Sequence, residues 1–95
     1  MAKMVLRESV RISPEPQCVL IGQARVVHTA QGRSHKGRLD IWFELDADHE
    51  RTLDEASRYV FVVPTRQAMS DDYTYVGTVV CDNDMVWHIY VEGAL

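Results

Sequence analysis

No stretch of this 95-residue sequence approaches the roughly 18 consecutive apolar residues that a membrane-spanning helix requires. The first ten residues carry Lys3, Arg7 and Glu8, which does not fit a secretory leader, so a cytoplasmic chain with no membrane partner is expected. Cysteine is scarce. Cys18 and Cys81 stand far apart without CxxC spacing, and two reduced, half-buried thiols are expected rather than a disulfide. His28, His35, His49 and His88 show no ligand spacing along a strand or helix, so no metal and no cofactor are expected. Ser9, Ser13, Ser34, Ser57 and Ser70 sit in no nucleophile-elbow context, which argues against an enzyme and leaves no catalytic residue to name. Cations are the minority: ten Lys and Arg against fourteen Asp and Glu give a net charge of −4, unfavourable for a general nucleic-acid binder.

What is present is β-type patterning over one domain, residues 1–95. Residues 4–12 alternate, with Met4, Leu6, Val10 and Ile12 on one side, Glu8 interrupting them, and Val5, Arg7, Ser9 and Arg11 on the other. Ser13-Pro14-Glu15-Pro16 ends that run, because proline has no amide hydrogen to donate. CVLIGQARVVHTA follows as one further run, with Gly22 marking a bulge or bend. RLDIWFELD has the cleanest period of two: Leu39, Ile41, Phe43 and Leu45 inward, Asp40, Trp42, Glu44 and Asp46 outward. RYVFVVPT is a fourth run ending near Pro64, and Thr52-Leu-Asp-Glu55 has the form of a capping box for a single helical turn. The fold class that follows is mainly β: a small antiparallel β-sandwich or open barrel of about six strands, with at most one or two short helical turns.

The segment YTYVGTVVCDNDMVWHIYVEG, residues 73–93, reads as a closing hairpin. A two-residue turn at Asn83-Asp84 sets Trp87 opposite Val80 and Gly77 opposite Tyr90. A three-residue turn over Asp82–Asp84 sets Trp87 opposite Val79 and Gly77 opposite Ile89. The first is preferred, since an aromatic ring over glycine covers open backbone. Either way Met85, Trp87, Ile89 and Val91 form one face and Val86, His88 and Tyr90 the other. Both are apolar, so the hairpin is either sandwiched inside the domain or has a face for a partner. His88 is expected to find a carbonyl or a hydroxyl such as that of Thr78.

Tyr75-Val-Gly77-Thr78, a short turn, then Val86-Trp87-His88-Ile89-Tyr90 resembles the C-terminal hairpin of a family of small phage-encoded proteins of unknown function. The strand Leu39–Asp46 with its Trp42 is similar to one those proteins carry in mid-chain. Pro-Thr-Arg-Gln-Ala-Met departs from the glycine-rich turn expected after Val63. The resemblance implies a virus-encoded accessory role and supplies no catalytic residues.

The expected function is a non-enzymatic accessory protein that binds a host or defence protein and self-associates. Trp42, Tyr73, Tyr75, Arg33 and Arg38 are candidate contacts, as residue types enriched at binding hot spots. Lys36 joins them on the cationic tip QGRSHKGR, and Asp46, Asp48 and Glu50 on an acidic stretch that holds seven carboxylates between Asp40 and Glu55. Val86, His88 and Tyr90 are the candidates for self-association. Two alternatives stand beside this: a small β-barrel that grips a nucleotide phosphate with QGRSHKGR, and a virion or assembly component whose hairpin edge pairs with a copy of itself.

Overall fold

The computed structural model describes residues 2–20, 24–33, 37–46 and 57–93. They form seven strands and no helix: β1 Lys3–Arg11, β2 Gln17–Leu20, β3 Arg25–Gln31, β4 Arg38–Asp46, β5 Ser57–Pro64, β6 Tyr73–Val80 and β7 Val86–Glu92. All pairs are antiparallel, in a three-stranded sheet of order β1-β4-β3 and a four-stranded sheet of order β2-β5-β7-β6. The architecture is the expected small β-sandwich. Its core is built from the inward members of each alternation: Val10, Leu39, Ile41, Phe43 and Leu45 from one sheet, Val19, Val60, Val62, Val79, Ile89 and Val91 from the other.

Two expectations are corrected. CVLIGQARVVHTA is not one strand but β2 and β3, which lie in different sheets. Val19 and Val26 both face the core yet are an odd number of positions apart, and a single strand would turn them to opposite faces. The chain changes sheets between them. Gly22 and the capping box at Thr52–Glu55 lie outside the described residues. Bulges occur instead at Val27 in β3 and Val76 in β6.

The preferred hairpin register is also overturned: Val79 faces Trp87 and Gly77 faces Ile89. The loop is Asp82–Asp84, closed by Asp84 N donating to Cys81 O and Cys81 N to Met85 O. Asp84 takes a left-handed conformation, φ 66°, the third-residue geometry of three-residue hairpins. Gly77 is explained by what lies across the core rather than across the strand. A Cβ there would stand 2.4 Å from Thr29 Oγ1 and 2.9 Å from its Cγ2, so β6 and β3 approach more closely than a side chain allows. Asp82 continues this seam by exchanging hydrogen bonds with the Gln31 amide (Asp82 N to Oε1, 2.8 Å; Gln31 Nε2 to Oδ1, 3.2 Å).

The four-stranded sheet contains a constraint that the sequence pattern does not reveal. β5 and β6 both run antiparallel to β7, one on each side of it, so they are parallel to each other. Residues 65–72 must therefore return along the sheet. Even extended they span under roughly 30 Å, too short to pass round the Asp82–Asp84 turn and back along the far edge. The inner face is filled by the other sheet, so the return crosses the outer face. Thr65 sits there against His88, and Val63, though it points outward, is only 5% exposed.

Replacing Gly77 with alanine is expected to destabilise the protein by about 1–3 kcal/mol, the usual cost of overpacking a tight contact. Combining it with Thr29→Ala is expected to recover part of that loss, so the two substitutions should be non-additive in denaturant unfolding.

Candidate functional site

The outer face of the three-stranded sheet is organised around β4. Its outward side chains, Arg38, Asp40, Trp42, Glu44 and Asp46, form the middle row; Lys3, Val5, Arg7, Ser9 and Arg11 of β1 lie on one side, Arg25, His28 and Ala30 of β3 on the other. Each acid of the middle strand meets a cation from a neighbouring strand: Lys3 Nζ to Asp46 Oδ1 at 2.9 Å, Arg25 Nη2 to Glu44 Oε1 at 3.3 Å, Arg7 Nη1 to Asp40 Oδ2 at 3.7 Å. The Asp46 hydrogen bond and charge hold the exposed Lys3 ammonium above its ordinary pKa. Asp40 is buried despite pointing outward, and Arg33 N donates to its Oδ2 at 3.4 Å. Trp42 occupies the centre of the face, half-buried. In register it lies between Arg7 and His28, whose ring stands 5.4 Å from the indole at a tilt of 49°.

The second sheet has a different outer face. Phe61 of β5 and Tyr73 of β6 reach across β7 to bring their rings within 4.3 Å, and Tyr75 meets Tyr90 edge-on at 5.7 Å. His88 is held at both nitrogens, by Thr78 Oγ1 on Nδ1 and Thr65 Oγ1 on Nε2, each at 2.9 Å, and the Tyr75 hydroxyl closes on Thr78. The predicted Thr78 partner is thus present, and the crossover supplies a second hydroxyl. Val86, His88 and Tyr90 are half-buried, while Tyr75 and Val80, toward the β6 edge, are exposed.

The candidate contacts therefore divide. Trp42, Arg38 and Asp46 share the first outer face, with Arg33 on the tip above it. Tyr73, Tyr75, Val86, His88 and Tyr90 lie on the opposite side of the sandwich, and no single flat interface reaches both groups. Lys36, Asp48 and Glu50 lie outside the described residues. Arg38 is already engaged, its Nε donating to Ser9 Oγ at 2.7 Å and its Nη2 to Ser9 O at 3.0 Å. Arg33 has given its amide to Asp40, so that group is not open to a phosphate. Arg7, Arg11 and His28 belong to the same face and were not among the candidates. The alternation of residues 4–12 put Arg7 and Arg11 on one side, but nothing in the sequence says that this side adjoins Trp42.

At one end of the sandwich, Ile12, Pro14, Val62, Pro64, Gln67 and Trp87 line a cleft of about 270 Å³. That is near the lower limit for a small-molecule pocket, and no ionisable side chain lines it. Among the described residues no group of three His, Cys, Asp or Glu is placed to hold a metal ion, and no helix is long and apolar enough to cross a membrane.

A family profile described as a domain of unknown function, DUF7352, covers residues 1–94. No curated protein matches the chain, and no solved structure does.

The two free thiols differ in environment: Cys18 is exposed, contrary to the expected half-burial, whereas Cys81 is buried. Burial, with a smaller contribution from the charge of Asp82, pushes the Cys81 thiol up, so less of it is thiolate at any given pH. With a disulfide exchange reagent at pH 8, one thiol is expected to react fast and the other slowly. Cys18→Ser should remove the fast phase; a fast reaction persisting in that variant would contradict this assignment.

Proposed function

The chain belongs to this family of domains of unknown function, and we propose that it is a non-enzymatic binding protein that engages a partner protein through the outer face of its three-stranded sheet. The observation that carries this reading is Trp42: a half-buried indole at the centre of an open sheet face, ringed by ion pairs that are already satisfied. A large rigid aromatic surrounded by polar groups is the usual composition of an interface hot spot with its rim. The ion pairs favour this use. They hold Arg7, Arg25 and Lys3 in place before binding, so less side-chain freedom is lost when a partner arrives. The resemblance of the closing hairpin to small phage-encoded proteins supports an accessory role in which the partner is a host or defence protein.

A second reading, self-association, rests on the other sheet, where Val80 is 68% exposed and Tyr75 53% exposed on β6. Tyr59 of β5 is likewise exposed on that face, whereas Val86, His88 and Tyr90 are half-buried. If this surface builds an assembly, Val80→Lys lowers the mass seen by light scattering to that of a monomer without loss of thermal stability.

For the primary reading, affinity capture from the native host identifies the partner and titration measures it. Trp42→Ala is expected to weaken that complex by about 2 kcal/mol or more, roughly 30-fold, while leaving the circular dichroism spectrum unchanged. Tyr75→Ala, on the opposite side, is expected to leave affinity as it was. Equal binding by the Trp42→Ala variant would defeat the proposal.

A further inference from the structure

The two sheets have four edge strands, and three of them are blunted. β2 is only four residues long, and β3 and β6 each carry a bulge. Shortness and bulges are the devices that stop a foreign strand from adding to an edge. β1 has neither. Its nine residues pair with β4 in nine consecutive steps without a shift of register.

The free side of β1 can be followed residue by residue. The Ile12 amide donates to Gly37 O, toward β4. Alternation then turns the amides and carbonyls of Arg11, Ser9, Arg7, Val5 and Lys3 away from the sheet. At Arg11 both groups are met by the Gln17 side-chain amide, with Arg11 N donating to Oε1 and Nε2 donating to Arg11 O, each at 2.7 Å. Gln17 thus completes the last rung as a neighbouring strand would. The Ser9 carbonyl accepts from Arg38. Among the described residues, no hydrogen bond reaches the outward backbone groups of Lys3, Val5 or Arg7.

The same alternation fixes the charge along this edge. Arg7 and Arg11 project onto the outer face, and the position above Ser9, between them, is filled by the Arg38 guanidinium. Three guanidinium groups follow one another along β1, at the roughly 7 Å step of alternate residues in a strand. Among the described residues only Arg7 of the three is near a carboxylate, Asp40. Arg11 and Arg38 are direct register partners, a like-charge pair that costs stability unless an anion relieves it. A strand added to β1 would bring its own alternate side chains to this row at the same spacing. A second copy of β1 is a poor candidate, because antiparallel pairing about Arg7 would set Arg7 against Arg7 and Lys3 against Arg11. A nucleic acid is a poor one too: it offers no backbone amides to the edge, and Asp40, Glu44 and Asp46 lie on the same face.

We infer that the free edge of β1 accepts an extended segment of a partner protein with acidic residues at alternate positions. Its backbone pairs with Lys3, Val5 and Arg7, and its carboxylates meet Arg7, Arg38 and Arg11. This deepens the binding-protein reading, on which it rests, since Arg7 is the register partner of Trp42 and the edge continues that face.

The test uses the whole chain, nitrogen-labelled, titrated with a capped peptide of alternating glutamate and valine and followed by amide NMR. Expected are shifts and new exchange protection at Lys3, Val5 and Arg7, loss of binding when alternate peptide amides are N-methylated, and a tenfold or greater weakening by Arg11→Glu. Arg11→Gln, which keeps the backbone rung to Gln17 without reversing charge, should weaken binding less and melt as the native chain does. The inference is overturned if those amides do not respond at millimolar peptide, if they are already protected in the free protein, if a peptide with its glutamates contiguous binds equally well, or if a single-stranded oligonucleotide shifts the same amides more strongly. Unresponsive β1 amides alongside a Trp42→Ala variant that still loses its partner would remove this inference and leave the broader reading standing.

Discussion

The period of two along β4 is the constraint on which the rest of the first sheet depends. It commits Leu39, Ile41, Phe43 and Leu45 to the core, and it leaves Asp40, Trp42, Glu44 and Asp46 no other direction than outward. A slip of one residue would bury three carboxylates and expose four large apolar side chains, so the register is held by several kcal/mol of burial on each side. β1 and β3 both pair against this strand. The central position of Trp42, the ion pairs around it and the direction of the β1 amides all follow from that one alternation. Exposed ion pairs contribute little stability of their own; their effect is to order the surface on which they lie.

The second sheet answers the question raised by a hairpin apolar on both faces. One face packs into the core through Trp87, Ile89 and Val91. The other is occupied in part by the chain itself, because the connection between β5 and β6 has to cross it. A sandwich of this size has few side chains to spare for two covered faces. It economises by using a loop as a partial third layer, with Thr65 and Thr78 satisfying the two nitrogens of His88 beside that loop.

Much of this was legible before any coordinates. The sandwich class, the inward and outward rows of Leu39–Asp46, the two faces of the closing hairpin and the Thr78 partner of His88 all follow from alternation and side-chain chemistry, which are local. What was not legible is non-local. Two turns fit Asp82–Asp84, and glycine cover favours the two-residue one, yet the pairing of Val79 with Trp87 and the left-handed φ of Asp84 belong to the three-residue turn. β2 and β3 read as one strand because the parity slip between Val19 and Val26 has meaning only once both are known to face the core. The candidate site suffered most. Trp42 and Tyr75 share a residue type, and only the pairing of the sheets shows that they face opposite ways, and that Arg7 and His28 are the true neighbours of the indole.

The interior place of β7 has a consequence for how the molecule is made. β5 and β6 emerge from the ribosome before it, yet neither contacts the other in the sheet; β5 has β2 on its far side, and only the strand synthesised after both joins it to β6. Until residues 86–92 arrive, Val60 and Val62 have no neighbour on that side, and the nascent chain holds one sheet with all its strands and one that is half-built, for a chaperone to shield. β7 zips onto β6 through the Asp82–Asp84 turn, but docking of that hairpin against β5 is a late step that waits on closure of the longer loop between them.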